Sequence, residues 1–294
     1  MISGILNVNK EVGISSNKCV GLVKKALNIK KVGHTGTLDL EAGGVLPIVI
    51  GKATRVSDFL MDEKKEYITE AIFGSRTDTL DWSGQVVEES DKTFTKDELI
   101  SEMENFKGQI TQIPPMYSAI KINGSKMYDL ARKGIEVERK TRNVTIYDFK
   151  LLDFDFPKAT FEITCSKGTY IRTLIDDLGE ALGSFAYVNK LTRSKVGDFV
   201  IEEAISSADL LEMDKDQILK HIKPVDYALK DYKEIRLDKS YFKQATNGMT
   251  MRLDALYSDD LLRVYIEDQF IGLGKNFKNE DLYFLKMEKV FYEK

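Results

Sequence analysis

The sequence predicts an α+β protein whose mixed, mainly antiparallel sheet is flanked by helices. The 294 residues are 43% hydrophobic, enough for a large core in about two domains. Apolar runs typical of strands occur in both halves of the chain, with amphipathic helices between some of them. Strands and helices do not alternate as in repeated βαβ units. A doubly wound parallel sheet is therefore not expected.

The first third of the chain predicts strands and helices around a loop of small residues. Ser15 or Ser16 is suited to cap a helix, and Thr95 with Glu98 forms a capping box for another. In chain order we expect a strand at 5–8, a helix ending near 27, a loop at 31–39 followed by Gly43 and Gly44, a buried strand at 45–50, a short helix at 53–60, a strand at 66–73 and a helix over 96–106.

Residues 108–142 differ in character from what precedes them. The segment contains adjacent prolines at 114 and 115 and glycines at 124 and 134, so we expect an insertion that projects from the core. Strands should return at 144–152 and 159–165, followed by a helix from about 173 to 182 that Gly183 ends. From about 231 the apolar runs at 262–266 and 282–287 indicate a small β-rich unit.

The charges are segregated along the chain. A net charge of -4 by itself argues against a polyanionic partner. However, residues 10–55 and residues 107–142 each contain eight basic and three acidic side chains, whereas residues 57–105 contain fourteen acidic and five basic ones. The segregation permits one basic face on an acidic protein, although solvated helix faces would produce the same pattern.

Several classes of protein are disfavoured by the sequence. The longest apolar run, 45–50, is far shorter than the ~18 residues of a membrane span, and the first residues lack the features of an export signal. We therefore expect a cytoplasmic protein. Cys19 and Cys165 are isolated and are interpreted as reduced core residues. With only two histidines, no structural zinc site can be written, and no metal is expected.

Familiar cofactor motifs also fail on spacing. Six residues separate Gly44 from Gly51, and Ala53 follows the lysine, so the segment is not a P-loop. Residues 33–36 lack the Gly-x-Gly of a dinucleotide fingerprint. Residues 78–84 are interpreted as an Asx-rich turn rather than a calcium loop.

Two islands remain as candidates for chemistry. The first, Gly33-His34-Thr35-Gly36-Thr37-Leu38-Asp39, joins small residues to a histidine and a carboxylate. The second runs from Cys165 to Arg172 and includes Tyr170. If Tyr170 to Arg172 is extended, alternation places the phenol and the guanidinium on one face. A tight turn at Asp39 and purely structural roles for the tyrosine and arginine are the alternatives.

These islands resemble the bacterial tRNA pseudouridine synthase B family, as do Arg76-Thr-Asp-Thr79 and Pro115-Met-Tyr-Ser-Ala-Ile120. The resemblance covers most of the chain. It implies a pseudouridine-synthase catalytic domain at 1–230, with a basic thumb-like insertion at about 108–142, and an RNA-binding domain of the PUA type at 231–294. It further implies a monomer that isomerises uridine at position 55 in the T loop of tRNA, without a cofactor or an obligate protein partner.

The resemblance also assigns roles to residues. It makes Asp39 the catalytic carboxylate and pairs it with Arg172. It implies that Tyr67 and Tyr170 line the uridine. Tyr67 is counted as catalytic together with Asp39 and Arg172. Leu191 packs in the pocket, His34 enters the T loop beside the flipped nucleotide, and Lys10 contacts the substrate. The chain departs from the family at Leu40, where proline usually follows the catalytic aspartate, and at Glu11, where proline usually follows the lysine.

The implied reaction fits the motifs that are present. Breaking the N1 glycosidic bond and joining C5 to the ribose needs no oxidant and no ATP, and one carboxylate can start it as a nucleophile or as a base at the 2′ carbon. Arg172 would offset much of the cost of burying Asp39. A glycoside hydrolase would need two carboxylates, and only Glu41 lies near. A catalytically silent tRNA-binding folding chaperone is the other alternative.

Overall fold

A computed structural model describes residues 2–118, 121–122, 125–127, 134–135, 137–257, 259 and 261–292. Its α-helices are α1 (Ser16–Leu27), α2 (Ser57–Asp62), α3 (Lys96–Glu104), α4 (Ile171–Ala181), α5 (Lys215–Leu219) and α6 (Phe242–Thr246). Its strands are β1 (Gly4–Lys10), β2 (Val32–His34), β3 (Ala42–Ile50), β4 (Lys65–Phe73), β5 (Ser75–Thr77), β6 (Val86–Glu89), β7 (Gly108–Gln112), β8 (Lys121–Ile122), β9 (Ser125–Lys126), β10 (Arg142–Asp155), β11 (Lys158–Cys165), β12 (Ala186–Val196), β13 (Phe199–Val200), β14 (Ile205–Ser206), β15 (Ile222–Lys223), β16 (Glu234–Leu237), β17 (Thr250–Leu253), β18 (Leu261–Ile266), β19 (Gln269–Asn279) and β20 (Leu282–Val290).

One large sheet organises the first 230 residues. Its strand order is β14-β1-β3-β12-β4-β11-β10-β7, with β2 paired to β3, β13 to β12 and β15 to β1. Most neighbours are antiparallel, but β3 and β12 run parallel where residues 42–44 face residues 191–193. The α+β prediction with a mixed, mainly antiparallel sheet is therefore confirmed.

Two of the hydrophobic cores that pack on this sheet meet at its central strands. One packs α3 and α4 against β4, β10, β11 and β12, and the other packs α1 against β1 and β3. Cys19 and Cys165 are buried free thiols within these cores, as expected. Tyr67 and Leu191 each contact both cores. The middle of the sheet is therefore where side chains from both halves of the domain meet.

The predicted helix caps are present. Ser15 caps α1 by accepting from the Lys18 amide, and both hydrogen bonds of the Thr95–Glu98 capping box are made at α3. Such caps satisfy amide donors that have no partner within the helix. Their signals lie within three residues, so they could be recognised in the sequence.

Some predicted boundaries were wrong because long-range pairing extends the strands. Residues 32–34 form β2 rather than loop, and the pair Gly43–Gly44 lies inside β3. Residues 108–112 of the expected insertion form β7, an edge strand of the main sheet, and Arg142 opens β10. Residues 119–120, 123–124, 128–133 and 136 of that insertion lie outside the described residues.

The expected small β-rich unit is a separate five-stranded sheet with the order β16-β18-β19-β20-β17. It packs on the large sheet through Leu273 and Phe291, which join the core around Val45 and Val49. Arg55 donates to the carbonyl of Val290 at 2.7 Å, which ties the last strand to the helical turn that follows β3.

No helix among the described residues is both long enough and apolar enough to cross a membrane.

Gly44 is required by the parallel joint between β3 and β12. Its φ is +105°, and a Cβ added there would lie 2.2 Å from the Arg193 carbonyl oxygen.

We expect Gly44→Ala to lower the free energy of unfolding by about 3 kcal/mol or more, because backbone strain and overlap add. Gly108→Ala is the matched control, since Gly108 has φ +87° and open space around it. It should cost about 1 kcal/mol of backbone strain. Urea unfolding measures both, and equal losses would show that the joint does not need a glycine.

Candidate active site

The segment that carries Asp39 is held from several sides. Ser16, at the start of α1, accepts from the Leu38 amide at 2.9 Å and donates to the Leu38 carbonyl at 3.1 Å. The Gly13 amide donates to the Leu40 carbonyl at 2.8 Å. Leu38 is buried, whereas the Leu40 side chain is exposed, so leucine is accommodated where the family usually has proline. These contacts fix the backbone on both sides of Asp39.

Arg172 is brought to Asp39 from the opposite half of the domain. Its Nη2 lies 2.8 Å from Oδ2 of Asp39, whose side chain remains 35% exposed, while the Arg172 side chain is only 5% exposed. Arg172 also donates to the carbonyls of Thr79 at 2.8 Å and Tyr117 at 2.7 Å. The buried guanidinium is thus surrounded by several oxygen acceptors, and one of them belongs to the carboxylate of Asp39.

The extended conformation considered for residues 170–172 is wrong. Tyr170 is extended, with φ -101° and ψ 109°, but it serves as the N-cap of α4, and Arg172 lies in the first turn of that helix. The two side chains still line one pocket with Asp39. They share it because α4 begins shortly after β11 ends at Cys165, and not because strand side chains alternate.

Asp81 was not predicted to take part in the site. Its Oδ2 lies 3.3 Å from Nη1 of Arg172, and its side chain is 5% exposed. Its Oδ1 accepts from the Thr79 hydroxyl at 2.8 Å and from the amide and hydroxyl of Ser83 at 3.1 and 2.6 Å. The turn at 78–84 is the Asx-rich turn that the sequence predicted, but nothing local indicated that it faces Arg172.

Tyr67, Tyr170 and Leu191 complete a small pocket of about 80 Å³ beside Asp39. Burial raises the pKa of the Tyr67 hydroxyl, against the opposing effect of Arg193. Burial likewise raises the pKa of Tyr170, against a hydrogen bond with Ser118. Both phenols are therefore neutral at physiological pH and can donate hydrogen bonds or offer a ring face.

Tyr170 is positioned by a buried glutamine of the edge strand β7. The Gln112 side chain accepts from the Tyr170 amide at 3.0 Å and donates to the Tyr170 carbonyl at 3.2 Å. Gln112 is 1% exposed, so this reciprocal pair is shielded from water. The sequence offered no signal for this contact, because 58 residues separate the partners.

Arg193 was also missed. It is 2% exposed and donates to the carbonyl of Val45 at 2.7 Å. In the strand register it stands between Gly44 and Tyr67. A signal was available: Arg193 lies two residues after Leu191 on one strand, and residues two apart on a strand share a face.

The structure gives different surroundings to His34 and Lys10, both of which were expected to bind the substrate. His34 lies on β2 and lines a cavity of about 580 Å³ that also reaches Asp39. Burial, with a further effect of Arg193, lowers its pKa, so its imidazole is neutral at pH 7. Lys10 is fully buried, and its ammonium donates to the carbonyls of Ile14 at 2.7 Å and Glu11 at 3.1 Å. Lys10 therefore supports the 11–14 loop. It does not face the pocket, although the expected substrate contact would require it to.

Within the part of the chain that the structure describes, no group of three or more His, Cys, Asp and Glu side chains is close enough to hold a metal ion.

The fold has solved counterparts. A chain in the structure of an H/ACA RNP bound to a substrate RNA containing 2′-deoxyuridine superposes with a TM-score of 0.74 at 25% identity, covering 99% of this chain and 85% of that one. A chain of a Cbf5–Nop10–Gar1 complex also has a TM-score of 0.74, with 27% identity and coverage of 98% and 85%. The molecule therefore shares its fold with protein chains of these two complexes.

Sequence comparison identifies the protein family. Residues 24–171 match the N-terminal domain of TruB family pseudouridylate synthases, and residues 172–230 match the C-terminal domain of tRNA pseudouridylate synthase B. The chain belongs to the TruB family of pseudouridylate synthases. It is 45% identical to tRNA pseudouridine synthase B of Clostridium tetani (94% of this chain, 96% of the relative) and 43% identical to that of Clostridium kluyveri (99% and 100%).

Asp81 should stabilise the fold through Arg172. Asp81→Asn leaves the buried guanidinium with a single carboxylate, so we expect the free energy of unfolding to fall by about 2 kcal/mol, within the range measured when one partner of a charged contact is removed. Asp78→Asn is the matched control, because exposed Asp78 only accepts from the Gln85 amide at 2.9 Å. Urea titrations of both variants provide the measurement. If the two are equally stable, the Asp81–Arg172 contact contributes nothing.

Proposed function

We propose that this protein isomerises uridine to pseudouridine in the T loop of tRNA, with Asp39 as the catalytic carboxylate. The observation that carries the proposal is the ion pair between Asp39 and Arg172, 2.8 Å apart, at the wall of a pocket lined by Tyr67, Tyr170 and Leu191. One carboxylate held beside a small, partly apolar pocket suits a reaction that detaches a base and turns it in place.

The reaction conserves atoms and electrons. The bond between N1 of uracil and C1′ of the ribose breaks, the base turns while bound, and a bond forms between C5 and C1′. Formation of that bond releases Asp39 from C1′, or is accompanied by return of the proton to C2′. The proton on C5 then passes to a base, and N1 takes up a proton, so the product has the composition of the substrate. Asp39 starts the process either by attacking C1′ or by taking a proton from C2′. Its contact with Arg172 fixes the direction of the carboxylate in either route.

The two tyrosines suit the turning base. A ring face stacks on uracil with about 1–3 kcal/mol and allows rotation within the plane of the base. Leu191 supplies an apolar wall that limits the entry of water, and excluding water protects the intermediate from hydrolysis. Burial keeps both phenols in their neutral form, so neither brings a charge to the uracil.

The target nucleotide must leave the stacked loop to reach this pocket, which costs a few kcal/mol. In our proposal His34 fills the space that it leaves, as a neutral side chain on the cavity that adjoins Asp39. The basic segment at 108–142 covers the RNA backbone, and residues 231–294 act as a second, PUA-type RNA-binding domain within a catalytic unit of 1–230. The protein acts as a monomer in the cytoplasm.

Asp39→Asn tests the assignment of the carboxylate. We expect conversion of uridine in a T-loop hairpin to fall by about 10⁴-fold or more, because the reacting group is lost, whereas affinity for the hairpin should change by less than about threefold. The product has the mass of the substrate, so conversion is measured by chromatography of the nucleosides after digestion.

Two controls separate the alternatives. Glu41→Gln removes the carboxylate nearest in sequence to Asp39 and should leave conversion within about threefold of wild type, since only a hydrolase would need a second acid. A wild-type protein that binds the hairpin without converting uridine would instead be the silent folding chaperone. Release of free uracil would indicate hydrolysis.

Arg172→Lys tests the guanidinium fork. Lysine keeps the charge but cannot contact Asp39, Asp81 and two carbonyls together. Losing one or two charge-assisted hydrogen bonds should lower turnover by about ten- to a hundredfold, with a smaller change in hairpin affinity. Single-turnover rates at saturating enzyme check this. Turnover near the wild-type value would show that the fork does not position Asp39.

A further inference from the structure

A third cavity, distinct from the one at His34, adjoins the Asp39 pocket and is rich in positive charge. Its volume is about 690 Å³, and it shares Thr37, Asp39, Tyr67, Thr169 and Tyr170 with the smaller pocket. Four basic side chains line it: Lys65, Arg142, Lys167 and Arg193. Asp39 is the only acidic residue among its described lining residues.

The two inner cations of this cavity are buried without a counterion. Arg193 is 2% exposed and Lys65 is 6% exposed. Arg193 donates to the carbonyls of Val45 and Gly36, at 2.7 and 3.4 Å. Lys65 donates to the carbonyls of Met61 and Glu63, the latter at 2.6 Å. Neither makes a salt bridge with a carboxylate in the described part of the chain.

Placing two like charges together out of water is unfavourable unless an anion compensates them. Burial and then the charge of Arg193 lower the pKa of Lys65 to about 8, and these effects outweigh the opposing effects of Cys165, Glu63 and Asp62. The two outer cations lie nearer to solvent: Arg142 is exposed, and Lys167, whose side chain is 64% exposed, is paired with Asp62.

We propose that Lys65 and Arg193, with Arg142 at the rim, bind a phosphate group: the phosphodiester of the substrate RNA that adjoins the flipped nucleotide. This inference rests on the proposed function. A phosphate is attached to either side of the ribose on which Asp39 acts, so it must lie next to the base pocket. Arg193 stands beside Tyr67 in the strand register, and the cavity that Arg193 lines is continuous with the base pocket. A fork and a point charge together suit a phosphate.

The test combines a variant with a neutral phosphate. Hairpins carrying a methylphosphonate at the phosphodiester 5′ or 3′ to the target uridine are titrated against Asp39→Asn protein, so that no conversion occurs during the measurement. For one of the two positions we expect the methylphosphonate to weaken binding about tenfold, and Lys65→Met to weaken binding of the normal hairpin about tenfold. Their combination should also be about tenfold rather than a hundredfold, because both remove the same contact.

Arg142→Gln, at an exposed position, repeats the cycle without altering a buried group. Lys158→Met is the charge-matched control: it lies at the far end of β11, outside the cavity, and should combine multiplicatively with either methylphosphonate. Multiplicative effects for both Lys65→Met and Arg142→Gln would overturn the proposal. So would a hairpin indifferent to methylphosphonate at both positions.

A free anion is separated from the RNA backbone by a further arm. Inorganic phosphate at millimolar concentration should raise the melting temperature of the wild type by more than that of Lys65→Met. If that difference is found but the RNA effects multiply, the cavity takes free phosphate and the assigned occupant is wrong. The proposed function is judged independently by conversion of uridine in the wild type: conversion with multiplicative binding effects rejects the phosphate site alone, whereas a hairpin that does not bind at all rejects both.

Discussion

The site depends on one buried charge. The Arg172 residue is 4% exposed, and burying its guanidinium would cost several kcal/mol without compensation. Two carboxylates and two backbone carbonyls provide that compensation, and they come from three separate segments of the chain. Because the arginine needs all of these oxygens, it holds the Asp39 loop, the turn at Asp81 and the segment at Tyr117 in a common arrangement. The proposed catalytic geometry and the local stability therefore have the same origin.

The sheet makes this arrangement reachable. Where β3 and β12 run parallel, the strand that follows Asp39 is joined to the strand that carries Leu191 and Arg193. On its other side β12 pairs with β4, which brings Tyr67 opposite Arg193. Tyr67 and Leu191 touch both hydrophobic cores. The pocket is consequently built on central strands, where packing restricts side-chain motion, and only the Asp39 loop and the start of α4 are irregular.

Prediction from the sequence succeeded where the signal was local. Caps at Ser15 and Thr95, the strand runs and the β-rich C-terminal unit were recognisable because their determinants lie within a few residues of one another. It failed at β2, at the start of β3 and at β7, where pairing with distant strands makes ordinary loop-like residues extended. Lys10 was assigned to the substrate by resemblance, yet its ammonium is consumed by two carbonyls of its own loop.

The sequence by itself determined the class of fold and the islands around Asp39 and Tyr170. It also showed that the spacing of the P-loop and of the dinucleotide fingerprint is not met. Only the tertiary structure decided that Asp81 shares Arg172 with Asp39, that Gln112 holds Tyr170, and that Arg193 and Lys65 face a single cavity. The reason is physical: periodicity and capping are properties of neighbouring residues, whereas the pairing of buried charges depends on strand register and on which groups folding removes from water.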